Sequence, residues 1–445
     1  MAQDNESLES LGSKIANLSS FLSSQLATLD LPQPSFHTNT NPLPQDPAIQ
    51  LVRLNLMESL ERLQHLVTGP VDFWAKESCL RNHELLTYDV FNNFNFWDAV
   101  PIDGSASYAE IANLTNLPEQ MVRRFLQLAY TFFVFAEETA GSEYVVHTAA
   151  SANMAQSRHL QAVVAFNLEE ARPAATVGVE ALRKWFMGKK EVPEDIESCA
   201  FPLATDDGRR RGENIWDFLE NFERPGQPRG YRAKRFGDAM KGLTDMNMTM
   251  TDKVLHMFDW KGLEDATVVD VGGSAGHVCA LLAGEYPRLN LIVQDIPSAE
   301  LAFRANIASS CYASRIHFQT HDFFKPQDLS ADVFLFKSVF HNWPDKYVSL
   351  IVRNLLEVLK SGNHLIVFDI VVPSSFEASD MSTSLTMRRL FAAMDLQMHI
   401  LCNSKERTVE DWVNVIKRAD PRFELKGIHV CQGALFGLLD FVFQD

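Results

Sequence analysis

Apolar residues recur at helical spacing in two stretches near the start of the chain. In residues 7–29 the leucine and isoleucine side chains fall three or four positions apart, as one face of an amphipathic helix requires. A second pattern of this kind covers about 48–67. Between the two, residues 31–47 contain five prolines, which break helices, so this stretch is predicted to be a linker.

Residues 91–154 have the pattern of a small helical module. Ser107 and Glu110 are spaced as a capping box at the start of one helix, and Pro118 stands where the first turn of a second helix tolerates proline. Residues 131–148 then alternate as a β-hairpin does. Two short helices followed by a hairpin predict a winged-helix unit.

Winged-helix units often bind DNA through their second helix. In this chain that helix offers only Arg123 and Arg124 as cations, and the whole chain has a formal net charge of −17. Because DNA binding needs clustered Lys and Arg to displace counterions, we favour a different role for this module. We expect it to mediate dimerisation and to form one wall of a pocket.

The second half of the chain has a different pattern. Residues 155–260 are mostly helical, whereas from Thr267 onward apolar strand runs alternate with amphipathic helices, including a helix over about 346–359. This alternation predicts an α/β domain with a mostly parallel sheet and helices on both faces. The predicted segments are an N-terminal helix and linker (1–47), a winged-helix dimerisation domain (48–154), a helical connector and pocket wall (155–260) and a Rossmann-like domain (261–445).

Composition excludes several classes of partner. The acidic balance disfavours both nucleic acid and anionic membranes. The six cysteines lie far apart, with no C-x-x-C pair and no His-rich neighbourhood, so we expect no metal site. No run reaches the roughly 18 apolar residues of a membrane helix, and the N-terminus lacks the features of a signal peptide. We therefore expect a cytoplasmic protein with no nucleic-acid or membrane partner.

The stretch VVDVGGSAGHV (268–278) ends a predicted strand with a glycine-rich turn. Glycines let the backbone approach a ligand closely, and the next helix presents its positive end there. A dinucleotide fingerprint has the spacing G-x-G-x-x-G, and a phosphate-binding loop needs a lysine. Neither is present. The spacing is D-x-G-x-S-x-G, given by Asp270, Gly272, Ser274 and Gly276.

This spacing resembles motif I of the class I S-adenosylmethionine (SAM) methyltransferases. Backbone groups of Gly272 and Gly273 are suited to the amino-acid end of SAM. Asp295, at the end of the next strand run, lies 23 residues after Gly272, close to the spacing of a ribose-binding carboxylate, ~20 residues. After the third run, Asp322 is suited to the adenine amino group and Phe323 to the face of the ring.

A second group of candidate residues follows the fourth strand run, in FLFKSVFHNWPDKY (334–347). His341 comes just after the carboxyl end of that strand, the side on which open α/β sheets bind ligands. A neutral imidazole at this place takes a hydroxyl proton when another group holds its tautomer. Asp369, late in the next strand run, and Glu406, in SKERT, are the carboxylates available for that task.

From about Phe91 to its end the chain resembles the plant and fungal small-molecule O-methyltransferases related to caffeate O-methyltransferase, above all the fungal natural-product branch. The resemblance is carried, in order, by DVGGSAGHV, LIVQDIP, HDFF, HNWPDK, LIVFDIVVP, MDLQM and KERTVEDW. It implies a homodimer with swapped N-terminal domains. It also implies that Lys337 lies beside the amino-acid portion of SAM, that His341 is the base flanked by Asp369 and Glu406, and that Met398, Cys402 and Asn403 line the substrate pocket.

Three positions depart from the usual pattern of these relatives. Asp369 stands where plant relatives carry Glu, Ser338 where relatives usually carry Trp, and Lys337 where many fungal relatives carry Arg. The chain is similar in these features to a small fungal branch of methyltransferase-like pericyclases, which retain SAM but catalyse a cyclisation. Its length and the apolar Val413 add to that similarity. Val413 is a candidate substrate contact, and His159 is a candidate for a second polar contact with the substrate.

Two functions follow from these resemblances. The first prediction is a pericyclase that performs an Alder-ene or hetero-Diels–Alder cyclisation, in which Lys337 polarises a substrate carbonyl and SAM is not consumed. The alternative is a SAM-dependent O-methyltransferase with His341 as general base, which residue chemistry alone favours. The substrate class implied is an aromatic or polyene natural product, such as a polyketide or pyridone. A noncatalytic DNA-binding regulator is the third possibility.

Overall fold

The computed structural model describes residues 6–40, 42–44, 46–205, 214–224, 226–245, 251–263, 265–308, 310–373, 384–431 and 434–445. These residues form two compact units. The first unit draws on the ranges 1–173, 223–245 and 378–386, and the second on 174–222, 246–377 and 387–445. The four-segment division drawn from the sequence stays a prediction. No helix in the described ranges has the length and apolar composition that a membrane span needs.

Two long helices open the first unit. Helix α1 covers Leu8–Thr28, and helix α2 covers Pro47–Asn93. Both predicted helices are confirmed, but α2 extends well past residue 67. Gly69 leaves the helical region (φ 70°, ψ 165°) just before Pro70, so α2 is two helical segments joined at a kink. The sequence pattern identified only the first of these segments.

The predicted helical module is also present in the first unit. Its helices are α3 (Phe96–Ala99), α4 (Tyr108–Thr115) and α5 (Glu119–Tyr130), and its strands are β1 (Ser105–Ser107), β2 (Phe135–Glu137) and β3 (Tyr144–His147). The capping box of Ser107 and Glu110 is confirmed. Strands β2 and β3 form the predicted antiparallel hairpin, and β1 pairs with the other edge of β3.

The region predicted to be mostly helical is confirmed as such in its described part. Its helices are α6 (Ala149–Gln156), α7 (Arg158–Phe166), α8 (Arg172–Thr176), α9 (Gly178–Ala181), α10 (Phe201–Thr205), α11 (Ile215–Asn221), α12 (Tyr231–Asp245) and α13 (Thr251–Leu255). Segments Asn167–Ala171 and Leu182–Phe186 are π-helical, and Trp260–Leu263 is a 3₁₀ turn. Gly242 lets α12 approach α7 closely, because a Cβ there would lie 2.6 Å from the carbonyl oxygen of His159.

The second unit is built on an eight-stranded sheet, and the predicted alternation of strands and helices is confirmed. Its strands are β4 (Thr267–Val271), β5 (Asn290–Asp295), β6 (Ile316–Thr320), β7 (Val333–Lys337), β8 (His364–Val372), β9 (Arg407–Thr408), β10 (Phe423–Val430) and β11 (Phe436–Phe443). The order is β10-β11-β8-β7-β4-β5-β6, with β9 paired to β8. Strands β4 to β9 pair in parallel, whereas β10 and β11 are antiparallel.

Five helices and two 3₁₀ turns accompany this sheet. The helices are α14 (His277–Glu285), α15 (Glu300–Ile307), α16 (Asp345–Arg353), α17 (Leu385–Cys402) and α18 (Val409–Ala419), and the turns are Pro297–Ala299 and Phe340–Asn342. Helix α16 ends at Arg353, six residues before its predicted end. The backbone then makes i to i−3 hydrogen bonds, which replace the α-helical pattern with tight turns.

The central strands of the sheet are buried on both faces, as expected of strands covered by helices. Every residue of β11 is buried, as are seven of the nine residues of β8. One core cluster joins these strands to β7 and to Trp412, Val415 and Ile416 of α18. Strands β4, β5, β6 and β7 pair in parallel, so the residues that follow them lie at the same edge of the sheet. Packing of the central strands keeps these strand ends in place.

Arg407 fixes the segment that leaves β7. Its side chain is fully buried and donates to the carbonyl oxygens of Phe340 (3.2 Å) and Trp343 (2.8 Å). It also donates to Oδ1 of Asp345 at 2.9 and 2.6 Å. The guanidinium lies 4.9 Å from the ring centroid of Trp412. One side chain therefore determines the path of residues 340–345.

We predict that Arg407→Met lowers the free energy of unfolding by about 3 kcal/mol, because it leaves the carbonyl oxygen of Trp343 and Oδ1 of Asp345 without a donor. Arg418→Met is the matched control, since Arg418 is half-exposed and pairs with Glu194 at the surface. Its effect should stay within about 0.5 kcal/mol. Chemical denaturation of the wild type and of the two variants measures both changes in the free energy of unfolding. Equal effects would contradict the role of Arg407.

Candidate active site

The predicted site residues, apart from His159, all belong to the second unit. Parallel pairing of β4 with β5 and β7, and of β7 with β8, brings the ends of these strands together. Asp295 and Lys337 are the last residues of their strands, and Asp369 lies three residues before the end of β8. The position of the candidate site, at the carboxyl edge of the sheet, follows from this topology.

The glycine-rich turn after β4 is tight. Gly272 and Gly276 have φ values of +75° and +76°, and Ser274 between them has φ +49°. The backbone N–H groups of Gly272 and Gly273 both donate to the carbonyl oxygen of Gln294. A Cβ at Gly272 would lie 2.7 Å from Cγ2 of Val339, and one at Gly273 would lie 2.5 Å from Oδ2 of Asp270. Both positions therefore require glycine.

Asp295 is hydrogen-bonded to the glycine-rich turn, together with which it is expected to bind SAM. Its Oδ2 accepts from the backbone N–H of Ser274 (2.8 Å), and its Oδ1 accepts from the N–H of Ile296 (2.7 Å). Burial raises the pKa of Asp295 against the opposing effect of these two donors, and the nearby charge of Glu220 raises it further. Each carboxylate oxygen keeps one lone pair, which suits the two hydroxyls of a ribose.

The segment after β6 supplies the remaining adenine candidates. Asp322 is exposed, and its Oδ1 accepts from the N–H of Phe324 (2.9 Å), which leaves Oδ2 for a ligand. The ring of Phe323 lies 6.0 Å from that of Trp343, and Trp343 stacks at 6.1 Å on Trp216 of α11. Trp216 was missed from the sequence because it lies far outside the strand runs.

Asp270 lies beneath the turn and is 1% exposed. The thiol of Cys279 donates to its Oδ2 over 3.8 Å. Burial raises the pKa of Asp270 to about 7, although the charge of Lys337 opposes this effect. A side chain this deep holds the turn and influences a ligand mainly through its charge.

Lys337 ends β7 on the same edge. Its Nζ makes a long contact of 3.5 Å with Oγ of Ser338 and lies 5.3 Å from the ring centroid of Phe436. Burial lowers the pKa of Lys337, while the charges of Asp270 and Asp369 oppose that shift. Lys337 is therefore a partly buried amine that is influenced by the charges of two carboxyl groups. Ser338 itself has φ +55°, where the strand turns toward His341.

His341 joins two buried carboxylates. Its Nδ1 lies 3.0 Å from Oε1 of Glu406 and 3.5 Å from Oδ1 of Asp369, and its backbone N–H donates to Oδ2 of Asp369 (3.1 Å). Burial acts to lower the pKa of His341, but the charges of Asp369 and Glu406 outweigh it and raise the pKa to about 9. The imidazole is therefore an imidazolium at neutral pH. None of the described residues bonds its Nε2, which remains for a ligand.

Glu406 has a supporting contact that the sequence did not indicate. Its backbone N–H donates to Oδ1 of Asp395 on α17 over 2.8 Å. Burial raises the pKa of Glu406 against the charge of His341. Donor atoms of His341, Asp369 and Glu406 all lie within 4.8 Å of one another, a spacing that a metal ion would also tolerate, although the sequence predicts none.

The predicted substrate contacts are more scattered. Met398 and Cys402 are buried on α17, and Asn403 follows it, with its Nδ2 donating to the carbonyl oxygens of residues 193 (2.7 Å) and 195 (2.9 Å). Val413 packs on the core cluster beneath α18. His159 lies on α7 in the first unit. The substrate roles of these five residues stay predictions.

We predict that Gly272→Ala weakens the binding of SAM at least tenfold, because the added methyl group meets Val339. Gly362→Ala is the matched control, since Gly362 also has a positive φ (+91°) but has open space around its Cβ. Both changes strain the backbone by about 1 kcal/mol. Calorimetric titration with S-adenosylhomocysteine compares the affinities of the two variants for the ligand. Equal affinity in the two variants would contradict a role of this turn's shape in binding the ligand.

Comparison with known proteins identifies the family of the chain. The family model described as the O-methyltransferase domain matches residues 211–421. A relative, O-methyltransferase lcsG of Purpureocillium lilacinum, is 30% identical over 84% of this chain and 80% of its own length.

Solved structures share the fold at lower identity. The structure of LepI in complex with SAM has a TM-score of 0.71 at 18% identity and covers 97% of this chain and 100% of its own. A structure of "a pericyclic reaction enzyme" gives the same values. These likenesses establish the fold, which comprises a Rossmann-like SAM-binding domain preceded by a helical region. The relative and the family model establish more, and this chain belongs to the O-methyltransferase family, whose cofactor is SAM.

Proposed function

We propose that this protein catalyses a pericyclic cyclisation of a natural-product intermediate, an Alder-ene or hetero-Diels–Alder reaction, without consuming SAM. The observation that carries the proposal is the pair of partly buried basic groups at the carboxyl edge of the sheet. Lys337 is influenced by the charges of Asp270 and Asp369, and Nδ1 of His341 lies 3.0 Å from Oε1 of Glu406 and 3.5 Å from Oδ1 of Asp369, which raise its pKa to about 9. Both are hydrogen-bond donors, and a protonated imidazole is unsuited to removing a proton.

The residues of this chain fit SAM on structural grounds. The turn at Gly272 and Gly273 has no room for a Cβ, and Asp295 keeps a free lone pair on each oxygen. When bound, SAM supplies a positive sulfonium that carries a transferable methyl group.

In this proposal the chain contributes electrostatics and shape. Lys337 donates a hydrogen bond to a substrate carbonyl oxygen, which withdraws electron density from the conjugated system and lowers the barrier. An Alder-ene reaction forms one C–C bond and moves an allylic hydrogen within the substrate, and a hetero-Diels–Alder reaction forms one C–C and one C–O bond. No atom leaves the substrate, so no base is required. His341 can donate from Nε2 to a second acceptor.

O-methylation is the second candidate, and a specific arrangement favours it. The contacts of His341 Nδ1 with Glu406 and Asp369 orient the ring as a general base needs to be oriented. The relative lcsG is also an O-methyltransferase by name. In that reaction neutral His341 would take the proton of a phenol or enol as its oxygen accepts the methyl group. The raised pKa of His341 would then require an alkaline optimum.

We also propose that the protein works as a homodimer. Large apolar side chains are exposed along α2, as expected of a helix that a second copy covers. These side chains are Leu51, Met57, Leu60, Leu66, Val67, Val71, Trp74, Leu80, Leu85 and Leu86. The expected substrate is an aromatic or polyene compound.

We predict that cyclisation and SAM turnover are separable. The protein is incubated with SAM and a pyridone that carries an alkenyl side chain and a conjugated carbonyl. The masses of the products are then measured by mass spectrometry. The expected product has the mass of the substrate, with no S-adenosylhomocysteine formed. Formation of S-adenosylhomocysteine together with a product about 14 mass units heavier would establish O-methylation instead, because a methyl group then replaces one hydrogen of the substrate.

Lys337→Met should slow the cyclisation by about 100-fold, the scale of losing one oriented donor at a developing charge. The substitution keeps most of the side-chain volume and removes only the charge. Lys346→Met is the control, because Lys346 lies on α16 and pairs with Asp195 near the surface. It should leave the rate unchanged. Retained affinity of Lys337→Met for S-adenosylhomocysteine checks that the cofactor site is intact.

The pH profile discriminates between the two candidate reactions. The pKa of His341 is raised to about 9, so the imidazolium persists through neutral pH and is lost as the pH rises through 9. Cyclisation assisted by this cation should fall as the pH rises through 9. His341→Gln should reduce that fall and leave the part that comes from Lys337, whose pKa is lowered by burial. A rate that instead rises toward pH 9 would identify neutral His341 as a base.

A further inference from the structure

The turn between α17 and β9 lies directly beside the His341 cluster. It consists of Asn403, Ser404, Lys405 and Glu406, and Glu406 Oε1 is the atom that contacts His341. The sequence predicted roles for Asn403 and Glu406 but none for Ser404. Ser404 is nevertheless 5% exposed, which is unusual for a hydroxyl in a turn.

Backbone and side-chain bonds hold this turn rigidly. Asn403 adopts a left-handed conformation (φ +50°), and its Nδ2 bonds two carbonyl oxygens of the 193–195 segment. The N–H of Ser404 donates to the carbonyl oxygen of Met398 (3.3 Å), and that of Glu406 donates to Asp395. The turn therefore cannot easily rotate its side chains to find new partners.

Three buried polar atoms in this turn have no hydrogen-bond partner among the described residues. They are Asn403 Oδ1, Ser404 Oγ and Glu406 Oε2. The residues that carry them are 7%, 5% and 6% exposed. Nearly all buried polar groups in proteins are paired, because leaving one unpaired is unfavourable. Three such atoms within four consecutive residues indicate a partner that the chain itself does not supply.

The chemistry of these atoms defines that partner. An amide oxygen and a carboxylate oxygen only accept hydrogen bonds, and a hydroxyl both donates and accepts. The complementary ligand group is therefore a donor. Since Glu406 also contacts His341, a donor bound at Glu406 Oε2 belongs to a molecule that occupies the active site.

We propose that Ser404, together with Glu406 Oε2 and Asn403 Oδ1, forms a subsite that binds an O–H or N–H group of the substrate. This inference rests on the proposed function only in that a substrate binds beside His341, and it holds for either candidate reaction. It assigns to the substrate a polar donor in addition to the carbonyl that Lys337 is proposed to contact.

The first test is the stability of the ligand-free protein. Ser404→Ala removes a hydroxyl that has no partner, so the melting temperature should stay the same or rise. Ser349→Ala is the matched control, because Ser349 is equally buried and its Oγ donates to the carbonyl oxygen of Val415. That variant should melt at a lower temperature. A comparable loss in both variants would show that Ser404 is satisfied within the chain and would overturn the proposal.

The second test measures ligand affinity with S-adenosylhomocysteine present, so that no turnover occurs. The probes are 4-hydroxy-1-methyl-2-pyridone and its 4-methoxy counterpart, which differ by one donor. Wild type should bind the hydroxy probe more tightly. Ser404→Ala should weaken the hydroxy probe about threefold to tenfold, the scale of one hydrogen bond, and leave the methoxy probe unchanged.

Unchanged affinity for the hydroxy probe, or equal binding of both probes by wild type, would overturn the subsite. An ordered water in place of a ligand group would give that same unchanged affinity. The proposed function is judged separately, by the mass of the product and by Lys337→Met. The subsite and the proposed function can therefore each be disproved while the other stands.

Discussion

Partial burial of two basic groups, Lys337 and His341, at the edge of the sheet is the constraint on which the site depends. A buried ammonium or imidazolium is unfavourable unless carboxylates and hydrogen bonds compensate it. Lys337 is compensated by Asp270 and Asp369, and His341 by Asp369 and Glu406. Asp369 is shared by both cations and is fully buried. Because Asp369 interacts with both Lys337 and His341, it links the proposed cofactor-binding residues to the residues proposed to contact the substrate.

The scaffold keeps these charges in place. The register of β7 against β8 places Lys337 opposite Phe368, so that Asp369 is the next residue along the neighbouring strand. Arg407 fixes residues 340–345, and Asp395 fixes the backbone of Glu406. Charged groups that are held rigidly and shielded from water act on a substrate more strongly than mobile ones. This rigidity is equally useful for polarising a carbonyl and for orienting a base.

Much of the fold and the cofactor half of the site could be predicted because they depend on local patterns. Strand runs, the D-x-G-x-S-x-G spacing and the carboxylate of Asp295 all lie within one stretch of chain. The helical segment of α2 after Gly69 was missed because a Gly-Pro step reads as a helix end. Arg407, Asp395 and Trp216 were missed because their contacts join residues distant in sequence. Ser404 was missed because an unpaired atom is visible only in three dimensions.

The central claim is that His341 is an imidazolium in the resting protein at neutral pH. Nuclear magnetic resonance titration of histidine-labelled protein, with the His341 signal assigned by its absence in His341→Gln, measures that pKa directly. The account predicts that the His341 ring titrates near pH 9. A titration at or below the ordinary value of about 6.5 would contradict it, because burial would then outweigh the carboxylates.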